Sequence, residues 1–392
     1  MQFAFNSGAR AALGGALLLL ACSRDRTAGG TGKQPVAAAP SSLAAPLAAP
    51  IPDDERQRIE GWLSFISQRD QGFHVFAIKP SGAAERQLSR GPGAHYNGPS
   101  SPDGTQLLIT SVTESAATSL KEQRLYVLPL NRVLSGAEAL PQLMPLGPPR
   151  PVVRSPGWSA DGQQVVFEGT SAGYRDLFAI RRDGSELRQL TSNPEGNFEP
   201  SLSPQGEQLV FVSSRDRAAE LYRARVDGSA PERLTRTPRD EWSPRFSADG
   251  SRIVFVSDRD SSDRLYLCAA DGSQVRRVSD LPPDSEVMEE SPRFSPREAL
   301  LAYVVRRRGG RSELFVLDLA TGSRHPVAAS LGGEVSEPAW SPDARYLAFS
   351  AGKDRDQQIY LARRDGSGVV AVTTAAGPNW NPQWIAAPPR RQ

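Results

Sequence analysis

The phrase "RFSADGSRIVFVSDRD" at residues 245–260 has near copies at 201–216, "SLSPQGEQLVFVSSRD", and at 339–354, "AWSPDARYLAFSAGKD". A chain that repeats one phrase at a fixed period is an array of one supersecondary unit, and that constrains its fold more than any composition. A proline opens each unit, at Pro99, Pro156, Pro200, Pro244, Pro292, Pro338 and Pro382, with spacings of 57, 44, 44, 48, 46 and 44. After each of the first six comes a turn of the type "SPDG" or "SADG", in which proline and Asp-Gly reverse the chain. An apolar strand follows, such as "VVFE", "LVFV", "IVFV" or "LAFS", rich in the β-branched and aromatic residues that a buried pleated surface prefers. A polar loop, a third strand and a second turn complete the unit, as in "LYRARVDGSAPERLT". Each unit is therefore four short antiparallel strands, the content of one propeller blade.

The two ends are complementary. Residues 62–89 hold strands two to four of a unit without an opening strand, and "NWNPQWIAA" (379–387) is an opening strand with nothing after it. Joining them closes the array and removes open sheet edges, whereas an open solenoid would need polar caps. The prediction is an all-β chain: a seven-bladed β-propeller of four-stranded antiparallel blades spanning 58–387, closed by strands from both termini, with 388–392 as a tail. The longer unit after Pro99 carries its extra residues, "TESAATSLKEQ" and "NRVLSGAEALPQ", in loops or an irregular edge.

Ahead of the array, residues 1–21 carry one positive charge, Arg10, and the apolar run "AALGGALLLLA", short for a membrane span and suited to a signal peptide. The run ends in "LLAC", which resembles the lipobox of bacterial lipoproteins, with Cys22 as the lipid-attachment residue; Leu20 is bulkier than that motif usually has. The competing reading is an ordinary signal peptide with a chance cysteine. By the same resemblance, Ser23 directs the protein to the outer membrane, facing the periplasm, with surface exposure as the alternative. Residues 22–57 are rich in Ala, Pro, Gly and Ser without periodicity and read as a disordered tether. With Cys22 lipidated, Cys268 alone remains, a small residue in a strand-like stretch with no spaced partners for a zinc site. The 46 basic and 44 acidic residues nearly balance, which excludes a general nucleic-acid binder.

The recurring P-x-W/F-S-P-D-G turn, the apolar strand, and the later I/L-Y and D-G-S…L-T elements together resemble the TolB-type, WD40-like propeller repeat. The resemblance spans about 325 residues. It implies a non-enzymatic, monomeric protein that binds a protein or peptide partner in cell-envelope assembly or maintenance. The family's type member has an α/β domain ahead of six blades, where this chain has a tether and seven. Related propellers suggest two alternatives: a glycan-binding or lyase-like protein, or a peptidase-type propeller without its catalytic domain.

Tests for chemistry come out weakly. "GTSAG" at 169–173 satisfies the serine-hydrolase pattern, but it lies between two strands, where the other units place a hairpin loop, and not on a strand-to-helix turn. His74, His95 and His325 fall at different unit positions, so no histidine cluster of the lyase kind is expected. No cofactor is expected either. The run "RRRGGR" (306–311) reads as a solvated hairpin, although arginines can also hold phosphate. The residues just before the opening prolines are the candidates for a binding surface, because the innermost strands begin at the channel mouth. They include Tyr96, Asn97, Arg154, Glu199, Glu241, Trp242, Glu290, Glu337 and Trp380. Six glutamates and two tryptophans against a single arginine in the full set predict an acidic mouth that attracts a cationic peptide or a metal ion, with the tryptophans as anchors. The plainer reading has the tryptophans filling space between blades and the glutamates solvated.

Overall fold

The computed structural model describes residues 49–385, apart from the short stretches 70–71, 115–120, 138–141, 151, 282–285, 332 and 376. Its strands fall into seven groups of four. Five are separate sheets, which open at Val153–Trp158, Asn197–Leu202, Glu241–Phe246, Val287–Phe294 and Val335–Trp340. The remaining eight strands make two further groups joined only by a single parallel bridge, Phe73 to Ala94. One of these opens at Ala94–Ser100. The other takes its opening strand from the C-terminal end, Asn379–Ile385, and its other three from Trp62–Arg69, Gly72–Ile78 and Arg86–Gln87. We number the blades from this one, so that blade 1 is the closure and blades 2 to 7 follow in chain order.

The closure is an antiparallel seam in which Trp62 faces Ile385 and Ser67 faces Asn379. Around the ring, each opening strand touches the opening strand of the next blade, and blade 7 touches blade 1. The apolar core divides in the same way, into seven clusters that each belong to one pair of neighbouring blades. This is why a strand buried on both faces recurs in every blade: one face packs on the blade before, the other on the blade after. Leu209, Phe211 and Ala224 of blade 4 pack toward blade 3, while Val210, Val212 and Leu221 pack toward blade 5. Six blades also carry a stacked aromatic pair across their central strands, such as Phe211–Tyr222 and Phe255–Tyr266, at centroid separations of 5.8–6.0 Å.

Two sequence expectations change here. Residues up to 57 read as a free tether, yet Ile51 is only 2% exposed and lies in the core shared by blades 7 and 1. The short helix Asp53–Arg58 places Glu55 against Arg363 and Tyr346 of blade 7. A compositional reading of 22–57 missed this because a single apolar residue, with one acid four positions on, makes no periodic signal. In the longer unit, the stretch read as loops extends the central hairpin through Gln106–Glu114 and Lys121–Pro129 and adds a helical turn at Asn131–Leu134. The other signal-peptide and lipid-attachment positions lie outside the described residues. Among the described residues, no helix is long and apolar enough to cross a membrane.

Candidate functional site

The opening strands share one irregularity. In every blade the pairing register shifts at the residue before the proline, a β-bulge that recurs seven times. Proline suits a bulge because it has no N–H to give to the ladder. In six blades the residue before it is not glycine yet takes a left-handed conformation: Ser155, Glu199, Ser243, Ser291, Glu337 and Asn381, with φ between 48° and 56°. The seventh position is Gly98. Such backbone costs on the order of 1–3 kcal/mol unless its surroundings over-determine it, and strained residues of this kind cluster at functional sites.

Three of the bulges are held by a carboxylate from the blade before. Glu168 Oε1 accepts the N–H of Glu199 at 2.9 Å, Glu199 Oε2 accepts the N–H of Ser243 at 2.5 Å, and Glu337 Oε2 accepts the N–H of Asn381 at 2.6 Å. Burial raises the Glu199 carboxyl, helped by the negative charge of Glu168, and burial likewise raises Glu337. Two arginines that follow the prolines lie close to these acids. Arg245 lies within electrostatic reach of Glu199 and Glu168, and Arg293 within reach of Arg245 and Glu337. Burial lowers both guanidiniums, Arg293 to about 10 with the repulsion of Arg245 added.

A second ring of polar contacts crosses the seams between blades, at the start of each third strand and the start of the next opening strand. Asn197 Nδ2 donates to Asp176 at 2.7 Å, Asn379 Nδ2 to Gln358 at 2.8 Å, and the Leu265 N–H to Glu289 at 3.0 Å. At the blade 1–2 seam the pair is His74 and His95, with ring centroids 5.4 Å apart. Burial, with the neighbouring His74, brings His95 down to about 4. The expectation that the histidines stand apart is thus corrected for two of them; the parallel bridge between Phe73 and Ala94 brings their strands together. His325 is elsewhere, with Nε2 2.8 Å from the Arg364 carbonyl oxygen. Among the described residues, no three His, Cys, Asp or Glu side chains gather as a metal-ligand set.

The structure distributes the nine candidates unevenly. Tyr96, Arg154, Glu199, Trp242, Glu290, Glu337 and Trp380 are half-buried at the same end of the opening strands. Asn97 is buried and exchanges hydrogen bonds with Asn381, donating to its carbonyl at 3.0 Å and accepting from its side chain at 3.0 Å. Glu241 is fully buried and holds Arg259 at 2.7 and 2.8 Å; burial nevertheless raises its carboxyl to about 7. Glu290 is paired with Arg306 of the basic run at 2.7 Å. The acids of the expected free acidic mouth are therefore committed, to arginines or to backbone N–H groups. Trp242 packs against the clusters of both seams that flank blade 5. Trp380 stands edge-on to Phe73, centroids 5.4 Å apart.

Sequence reading missed the axial arginines because it looked only before the prolines. The available signal was "P-R-F" in two of the units, which puts an arginine directly after the bulge of two neighbouring opening strands. In "GTSAG", Ser171 pairs with Tyr174 across a tight hairpin whose Ala172 and Gly173 have φ of 50° and 87°.

Fold and ring together define a closed seven-bladed β-propeller whose inner strands converge on an axial channel. The family model for the TolB beta propeller domain matches residues 148–240, 197–283 and 283–388, and the chain belongs to that family. The Tol-Pal system protein TolB of Geobacter sulfurreducens is 36% identical over 83 residues, which is 20% of this chain and 18% of that protein. Among solved structures, TolB from Acinetobacter baumannii superposes with a TM-score of 0.53 at 18% identity, covering 88% of this chain and 89% of the other. Puromycin hydrolase gives 0.60 at 16% identity, covering 85% of this chain and 57% of the other. At these identities the solved structures share the fold.

Proposed function

We propose that this chain is a non-enzymatic, monomeric, periplasm-facing lipoprotein whose propeller binds an envelope protein or peptide at its channel mouth. Cys22 carries the lipid at the outer membrane, and the residues up to about 50 form the tether. The observation that supports partner binding best is the ring itself. Seven half-buried candidate residues, two of them tryptophans, stand at one end of a closed scaffold in which three of the strained bulges are pinned by inter-blade hydrogen bonds. Aromatic residues half-buried on a rigid frame are the usual anchors of a binding surface, because they lose little conformational freedom on binding. The relative named as a Tol-Pal system protein adds weight, since its name places it in a system of several proteins.

The test is crosslinking in intact cells by the full chain, with two variants beside it. Trp380→Ala alters the mouth, and Tyr174→Ala alters an exposed residue in the hairpin between the second and third strands of blade 3. One envelope protein crosslinked by the parent and by Tyr174→Ala, but lost from Trp380→Ala, is the expected result. Equal crosslinking by both variants removes the mouth from the proposal. Palmitate labelling that survives Cys22→Ser removes the anchor.

A further inference from the structure

The seven positions after the opening prolines lie on the innermost strands, where pairing resumes directly after the bulges. Five are Ser100, Gly157, Ser201, Ala339 and Gln383, and four of those are small. At Gly157 an added methyl group would meet nothing within 4 Å, so there is open space at this level. The other two are Arg245 and Arg293, on adjacent blades. Each guanidinium makes one hydrogen bond from Nη1, to the carbonyl of the proline just before it, at 2.8 and 3.0 Å. Among the described residues, neither has a carboxylate within 4.0 Å.

That is an unusual way to leave two arginines. Arg175, Arg233, Arg259 and Arg306, each three-quarters buried, all hold a glutamate. A guanidinium withdrawn from bulk water is ordinarily paired, since desolvating a charge is costly otherwise. The nearest acids, Glu199 and Glu337, are spent on the N–H groups of Ser243 and Asn381. Two like charges on adjacent strands, with their forks still unfilled and free volume across the channel, make a receptor for a negatively charged group. Arginine's planar fork matches the two oxygens of a carboxylate or phosphate.

We propose that the axial channel is an oxyanion-binding site in which Arg245 and Arg293 together hold one carboxylate or phosphate group. The site reverses the expectation of a channel selective for cations, and it stands independently of the partner proposed above. The occupant is a small anion or the acidic end of a longer ligand that reaches down the axis, beside Glu199 and Glu337, whose carboxyls burial shifts toward the neutral form.

The test uses the full chain in isothermal titration calorimetry with succinate and, separately, inorganic phosphate, each against sodium chloride at matched ionic strength. Variants are Arg245→Gln, Arg293→Gln and, as a control, Arg182→Gln, whose side chain reaches Asp103 at 3.5 Å in the turn after the blade 2 opening strand. Saturable one-to-one binding is expected in the parent and the control, weakened by roughly tenfold or more in either channel variant, as for loss of a charge-assisted bond. Binding of phosphate alone assigns a tetrahedral anion, and binding of succinate, with or without phosphate, assigns a carboxylate. Should a glutamine variant fail to fold, Arg245→Lys and Arg293→Lys keep the charge and lose the fork, and are expected to weaken binding in the same direction. Heats that chloride reproduces, or binding unchanged in the channel variants, overturn the site. Failure of the mouth variant Trp380→Ala to alter crosslinking leaves it standing.

Discussion

The contact most open to a quantitative test is the one that locks the ring behind its closure. Glu55, in the helix Asp53–Arg58, accepts a hydrogen bond from Arg363 Nε at 2.9 Å and from the Tyr346 hydroxyl at 2.8 Å, and pairs with Arg363 Nη2. The Arg363 guanidinium holds the carboxyl down to about 2, against an ordinary value of 4.5. Taken at face value, that difference is a ceiling of about 3 kcal/mol. Both side chains remain about a quarter exposed, at 26% and 28%, and solvent screening brings the net contribution to roughly 1–2 kcal/mol. Glu55→Gln is therefore expected to lower the free energy of unfolding by that amount at pH 7. Because the folded carboxyl titrates below the unfolded one, the stabilisation is present above about pH 4.5 and fades as pH falls toward 2. Urea unfolding followed by tryptophan fluorescence, at pH 7 and again near pH 3, measures both parts. Parent and variant should differ clearly at the first pH, and the gap should shrink to roughly half or less at the second. A variant as stable as the parent at pH 7, or a gap that does not shrink on acidification, refutes the reasoning. Ile51→Ala in the same segment separates packing from charge: it should cost about 2–4 kcal/mol at either pH, since it empties an apolar site between blades 7 and 1.

Three further outcomes follow from the same geometry. Arg259→Met leaves Glu241 buried without its partner, so it should destabilise by about 3–5 kcal/mol at pH 8 and by clearly less at pH 5, where the carboxyl is protonated; denaturant midpoints at the two values decide it. Ser291 sits at φ 54°, so Ser291→Gly should be neutral or stabilising by up to ~1 kcal/mol, while Ser291→Val should cost about 1–3 kcal/mol; equal melting temperatures for the two would dismiss the bulge argument. Burial pushes the Cys268 thiol up to about 12, so it should react with a thiol reagent only after denaturation, and fast labelling of the native protein would contradict its placement.

The forty-four-residue period, the prolines and the apolar strands determined the blade, the number of blades and the closure by themselves. They did so because strand burial and turn chemistry are local properties, and because two incomplete units at the ends have only one way to complete each other. Partnership across the seams was settled only by the tertiary structure. Whether Glu241 faces water or Arg259, whether His74 meets His95, and whether Ile51 is tether or core depend on which blade lies alongside, and no local pattern encodes that. The axial arginines lie between the two cases. Their residues stand in plain view after the prolines, but no local pattern shows that Arg245 and Arg293 fall on touching strands of neighbouring blades, each bonded only to the carbonyl of its own proline.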